Sequence, residues 1–356
     1  MKKSWKKASA IFMAAALAAG LAGCGASNNN NTATTAAGKS AAESKVNGEN
    51  SPEADSKKTD VTVILDYVAN TNHTGMYVAL DKGYYEEAGL NVNIVEPTEG
   101  ATATLVAVGK GDFGISYQED VTVALASKDA LPIKAIAAII QHNTSGIISL
   151  ASDNIQSPKD LEGKTYATWE NPVEQAVIKS LMEADGGDFS KLNLVPSTVS
   201  DVITALNTNI DTVWIFYAWD GVATELKGYD TNFMDFAKLN TTFDYYTPII
   251  IANNDFLAEN PDTAKAFLAA TAKGYEYAIE NPDAAADILL EAAPELDPEI
   301  VKASQEWLAD QYIADAEKWG YIDPARWDGF YTWLTENNLV DGELPADTGY
   351  SNDYLA

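Results

Sequence analysis

VTVILDYVANTNHTGMYVALDKGYYEEAGLNVNIV, residues 61–95, is the stretch on which the fold is read. Val61–Leu65 is a short run rich in β-branched residues, the composition of a buried strand. Asp66 to Thr74 is polar, Gly75–Ala88 has helical spacing, and Val92–Val95 is a second strand. Short apolar runs alternating with helical patterns are the signature of an α/β sheet.

The alternation continues along the chain. Strands are expected at 113–117, 133–140, 166–169, 192–195, 212–216 and 247–252, with 146–150 extended and no long helix before it. Helices are expected at 101–108, 120–127, 173–184 and 199–206, and Ser157-Pro158-Lys159-Asp160-Leu161 reads as a capped turn. Beyond 252 the pattern is helical to about 338, broken at Asn260-Pro261-Asp262 and Asn281-Pro282-Asp283. Two similar α/β sets followed by helices predict two lobes joined by two crossover strands. The first lobe would be 61–148 plus 247–356, and the second 149–246. Ligands of open α/β sheets sit outside the carboxyl ends of the strands, so the cleft between the lobes is the expected site.

Upstream of the body, Met1–Lys7 carries four Lys and Ala8–Leu21 is apolar, a signal-peptide pattern too short for a comfortable membrane span. It ends in Leu21-Ala22-Gly23-Cys24, which resembles a bacterial lipobox and makes Cys24 the expected lipidation (palmitate) site. Residues 25–60 are Asn, Thr, Ala, Ser, Gly, Lys and Glu without apolar periodicity, and read as a disordered tether. The expected location is the extracytoplasmic face of the cell membrane, held by lipid.

The 356 residues carry 52 Asp+Glu against 23 Lys+Arg, a net charge of −29 that becomes −33 once the four leader Lys are removed. That balance argues against a nucleic-acid partner. Cys24 is the only cysteine, so the body has no thiol nucleophile and no disulfide framework, and two His leave little for a metal site. Arg326 is the only arginine, so bidentate guanidinium clamps on a carboxylate or phosphate are not the main recognition device unless Arg326 alone provides one. No Gly-x-Ser-x-Gly elbow or Walker loop occurs, and no catalytic residue is expected.

Four segments at strand ends mix aromatic and polar residues. The first, Asp66 to Gly75, contributes Asp66, Tyr67, Asn72 and His73; the second contributes Tyr117 and Glu119. The third is Trp169-Glu170-Asn171-Pro172-Val173-Glu174, contributing Trp169, Glu170 and Glu174. The fourth, Trp214-Ile215-Phe216-Tyr217-Ala218-Trp219-Asp220-Gly221, contributes Trp214, Tyr217, Trp219 and Asp220. Aromatic faces beside carboxylates suit a flat, neutral or cationic heterocycle. Stacking adds roughly 0.5–1.5 kcal/mol per ring pair beyond burial, and a carboxylate accepts strongly from an exocyclic amine. The expected pocket has a ring held between aromatics drawn from Trp169, Tyr217 and Trp219. Its amine would meet a carboxylate among Glu119, Glu170, Glu174 and Asp220, with Asn72 and His73 opposite.

Asn70-Thr71-Asn72-His73-Thr74-Gly75-Met76-Tyr77-Val78-Ala79, followed by Lys82-Gly83-Tyr84-Tyr85 and Gly89-Leu90, resembles the opening of the SsuA/THI5-like (NMT1) solute-binding family. The His-Thr-Gly loop and the Trp214–Gly221 run resemble more narrowly its ThiY-type formylaminopyrimidine-binding lipoproteins. The resemblance covers about residues 61–340. It implies a two-lobed, type II periplasmic-binding-protein-like fold and a monomer without cofactor. The implied ligand is an aminopyrimidine thiamin precursor taken up for salvage, and the implied partners are an ABC permease and its ATPase. The family's eukaryotic members are pyrimidine synthases that consume the histidine matching His73 and carry a cysteine-rich iron motif, which this body lacks. Sulfonate and nitrate binders share the scaffold, but their anions would be repelled here. Another small solute, such as a riboflavin-like one, is the alternative occupant.

Overall fold

In the computed structural model, which describes residues 58–97 and 102–356, the expected strands assemble into two sheets of matching design. Cys24 and the tether up to residue 57 lie outside the described residues. The strands are β1 (Thr59–Ile64), β2 (Leu90–Val95), β3 (Phe113–Ser116), β4 (Ile133–Ala138) and β5 (Ser145–Leu150), then β6 (Thr165–Thr168), β7 (Asn193–Pro196), β8 (Thr212–Phe216), β9 (Thr231–Asp235) and β10 (Ile249–Asn253). One sheet has the order β2-β1-β3-β10-β4 and the other β7-β6-β8-β5-β9.

In each sheet four strands run in one direction and the strand at the fourth position runs against them. β1 pairs with β2 and β3 in parallel, while β10 lies antiparallel between β3 and β4. β6 likewise pairs with β7 and β8, and β5 lies antiparallel between β8 and β9. The chain crosses between sheets through 139–144 and again through 236–248. All of β5 belongs to the second sheet, and β1 starts two residues ahead of Val61.

Helix starts follow local chemistry. Helices begin at Pro172, Pro261, Pro282, Pro298 and Pro324, each preceded by Asn or Asp. Proline fits the first helical position because its missing N–H would be unpaired there anyway, and Asn or Asp suits the capping position before it. The single helix expected over Gly75–Ala88 is two, Thr74–Asp81 and Tyr84–Glu87, because Gly83 turns left-handed at φ +73°. The edge strand β9 was not expected: Thr231-Asn232-Phe233-Met234-Asp235 has polar ends and little apolar signal. Among the described residues no helix is long and apolar enough to cross a membrane.

The helix Pro261–Glu280 closes one face of the first sheet, with Phe267 stacked on Phe113 at 4.1 Å. Its Gly274 faces the Gly75 carbonyl so closely that a β-carbon would fall on that oxygen. The contact brings the Tyr275 hydroxyl to the Asn72 carbonyl, to which it donates at 2.7 Å. Gly274→Ala should therefore lower the urea midpoint, because overpacking costs about 1–3 kcal/mol and outweighs the roughly 1 kcal/mol of helix propensity gained. A midpoint equal to or above wild type at unchanged m would show the contact to be slack. The last helix, Pro324–Glu336, serves both sheets. Trp327 and Tyr331 join the core beside Ile249 and Ile133, while Phe330 and Leu334 join the core around Tyr166 and Trp214.

Candidate functional site

The carboxyl ends of β1, β3, β6 and β8 converge on a cleft of about 450 Å³. Asp66, Tyr67 and Asn72 line it from the loop after β1, and Tyr117 from the end of β3. Trp169 enters from the end of β6, and Trp219 and Asp220 from the turn after β8. The crossovers contribute Ile140, Thr144, Thr247 and Pro248 to the lining. Among the described residues no Lys, Arg or His lines the cleft, whereas two carboxylates do.

The aromatic walls are unusually open. Trp169 is 44 % exposed and Tyr67 is 67 % exposed, so a ligand has apolar surface to cover. Trp169 leans on buried Trp214 at 5.6 Å between ring centroids, and Trp214 meets Phe236 edge-on at 4.3 Å. Trp214 is thus the support behind the wall and not part of it.

The polar groups of the loop after β1 are tied down. Asn70 caps the short turn Thr71–His73, accepting from the Asn72 N–H at 2.9 Å. His73 is fully buried, its Nε2 2.7 Å from Asp66 Oδ1, and Tyr117 donates its hydroxyl to Asp66 Oδ2 at 2.6 Å. Burial works against ionising Asp66, but the His73 ring beside it and the hydrogen bonds from His73 and Tyr117 outweigh that. The carboxyl is held below the ordinary 3.8. Asp220 across the cleft moves the other way: burial, then Asp201, pushes it up to about 6.

Six of the residues expected at the site do not line this cleft. His73 lies behind Asp66. Glu174, 2 % exposed, accepts from the Tyr166 hydroxyl at 2.5 Å, the Thr168 hydroxyl at 3.0 Å and the N–H groups of Trp169 and Asn171. It belongs to the capping box of helix Pro172–Ala184, and its two oxygens are already engaged. Glu170 is exposed in a left-handed conformation at φ +62°. Glu119 is held off the cleft by the Tyr245 hydroxyl, which donates to it at 3.4 Å; burial, then Asp120, pushes its carboxyl up to about 7. Trp214 is buried, as described.

Tyr217 is the sixth. Residues 217–221 form a single π-helical turn, a rare geometry that recurs at functional sites. It sends Trp219 and Asp220 to the cleft and Tyr217 to a separate groove, where its ring meets Phe233 at 4.9 Å and Trp307 at 5.3 Å. That groove is larger, about 700 Å³, but its charges already have partners. His142 pairs with Asp244 at 2.7 Å and Asp315 at 3.0 Å, and Lys238 with Asp235 at 2.9 Å. The two histidines therefore sit in separate hydrogen-bonded sets.

The crossover residues Thr144, Thr247 and Pro248 escaped the sequence reading, since they reach the cleft only through the topology. Phe216 had a local signal, its position at the end of β8 just ahead of the aromatic turn.

The family model NMT1/THI5 like matches residues 70–285. The formylaminopyrimidine-binding protein of Halalkalibacterium halodurans is 29% identical over 309 residues, covering 85% of this chain and 93% of that protein. The 4-amino-5-hydroxymethyl-2-methylpyrimidine phosphate synthase of Legionella pneumophila is 28% identical over 68% of this chain and 76% of its own length. Among solved structures, the periplasmic aliphatic sulphonate binding protein SsuA from Escherichia coli superposes with a TM-score of 0.65 at 16% identity. That match covers 83% of this chain and 99% of the other. The architecture is the two-lobed, type II fold of periplasmic binding proteins.

Proposed function

The chain belongs to the NMT1/THI5-like family, and from that premise we propose that it is a non-catalytic binding protein for an aminopyrimidine thiamin precursor of the formylaminopyrimidine type. One observation carries the reading: a cleft with open Trp169 and Tyr67 faces and two carboxylates, and without a cationic lining residue among the described residues. Such a cleft accepts a flat ring with N–H donors and repels a sulfonate or nitrate. The relative named for formylaminopyrimidine supports the same ligand class.

The lobes are taken as 61–148 plus 247–356 and 149–246, with Ser145–Ile148 moved to the second because β5 lies wholly in its sheet. Closure is a hinge motion at the two crossovers, after which a monomer passes its ligand to an ABC permease and its ATPase. Consumption of His73, as in a pyrimidine synthase, is disfavoured by its complete burial and by a body without cysteine. A thermal-shift panel of thiamin, formylaminopyrimidine, hydroxymethylpyrimidine, taurine and nitrate tests the proposal. A pyrimidine at about a hundredfold over its Kd adds roughly 2.7 kcal/mol of stability. A larger shift with taurine or nitrate, or recovery of protein with a covalently altered His73, would refute it.

The proposal includes a lipid anchor at Cys24 on the extracytoplasmic face of the membrane. Cys24→Ser should leave the melting temperature of the body unchanged and release the protein from membranes. Labelled palmitate still incorporated into that variant would exclude Cys24 as the modified residue.

A further inference from the structure

The geometry points to Asp66 as the fixed acceptor for the ligand's ring amine, with His73 as a positioning residue that orients Asp66 and never touches the ligand. The inference rests on the aminopyrimidine reading above and assigns its central contact.

The Asn70 backbone N–H donates to His73 Nδ1 at 3.2 Å, so that nitrogen carries no proton in this contact. The ring proton is then on Nε2, which donates to Asp66 Oδ1 at 2.7 Å. Tyr117 donates to the other oxygen at 2.6 Å. A carboxylate has about four acceptor positions, so after these two bonds and one from its own backbone N–H Asp66 still has acceptor capacity to offer. Asp66 lines the cleft, and its side chain is 7 % exposed against 0 % for His73. The open positions belong to Asp66; the imidazole is sealed behind it.

The loop carrying these groups is braced from below. Tyr275 donates to the Asn72 carbonyl at 2.7 Å, and Tyr312 to the Thr71 carbonyl at 2.8 Å. Asp66 is therefore oriented before a ligand arrives, which is what makes a buried acceptor selective. Asp220, on the opposite wall and without such donors, is left for the ligand's second N–H.

The test is calorimetry with two probes, formylaminopyrimidine and the same compound carrying methyl in place of the ring amine. Wild type should prefer the amine at least about tenfold, the range of a charge-assisted bond. Asp66→Asn should bring the two probes within about threefold of each other, because an amide cannot accept on both sides. His73→Leu should cut the preference severalfold and move the acid limb of amine binding to higher pH. His73→Gln, whose amide N–H can reach the place of Nε2, should restore both.

If Asp66→Asn retains the tenfold preference, or wild type binds both probes equally, the assignment of Asp66 is overturned. If His73→Gln behaves as His73→Leu does, the positioning role is overturned. Should the His73 variants fail to melt cooperatively, Tyr117→Phe replaces them: it removes one donor without opening a cavity, and must shift the acid limb the same way. Binding of neither probe by wild type overturns the proposed function itself, an outcome distinct from loss of discrimination.

Discussion

Asp220→Asn is expected to raise the melting temperature by several degrees at pH 7.5 while weakening pyrimidine binding at least tenfold. Burial, then the charge of Asp201, pushes the Asp220 carboxyl from 3.8 up to about 6 in the folded protein. An acid with a raised folded value favours the native state while protonated. Its contribution is full below 3.8 and is lost as pH rises through about 6. The interval is roughly two pH units at about 1.36 kcal/mol each; partial exposure brings the penalty of the ionised form to about 2 kcal/mol. Asparagine never ionises, so the difference between the two proteins should grow from pH 4 to pH 6 and then level off. Binding moves oppositely, because an ionised carboxylate facing an N–H donor contributes about 1.5–3 kcal/mol, and about 1.4 kcal/mol is one decade of affinity. Melting curves that stay parallel from pH 4 to pH 8 would contradict the raised value. Unchanged affinity would remove Asp220 from the ligand's contacts.

Glu174→Ala should be among the most destabilising single changes in the second lobe, at about 3–4 kcal/mol by urea unfolding. The carboxylate is buried and accepts from Tyr166, Thr168, Trp169 and Asn171. Removing it strands donors in the interior, at about 1–3 kcal/mol for each buried unsatisfied group, and deletes a helix capping box. Trp169 takes its backbone anchor from the same carboxylate, so affinity should fall as well, although Glu174 does not line the cleft. A loss under about 1 kcal/mol would mean that water replaces the carboxylate without strain. Glu170, exposed next door, serves as the control and should tolerate Gly at its left-handed position.

The contrast between these two glutamates marks how far the sequence could be read. The alternation of apolar runs and helical spacing led to both sheets, and four strand ends led to the cleft. Seven of the residues named from those ends, Asp66 and Trp169 among them, do line it. Glu174 was a different matter, yet Asn171-Pro172-Val173-Glu174 already carried a cap with an acid three positions on, a pattern that points to helix initiation. Tyr217 could not have been placed. Whether it shares a wall with Trp219 depends on a π turn instead of an α turn, and no short-range pattern distinguishes them. Trp214 is legible only from its neighbours, since a ring two residues inside a strand can face either a core or a ligand.

The strand inserted at the fourth position of each sheet governs how this chain can be built. Ser116 finds its partner at Ile249, more than a hundred residues later, and β5 must wait for β8 and β9. The first lobe is not a contiguous module, whereas all five strands of the second lie within 145–235. A fragment ending before Ile249 leaves β3 and β4 with facing open edges, and one starting after Leu150 lacks the strand between β8 and β9. Contacts of such sequence separation close a long loop at an entropic cost, so the first sheet can be completed only once the chain through β10 is present. The amino-terminal half of the chain thus carries a sheet that stays incomplete until the crossover at 236–248 has returned the chain to it.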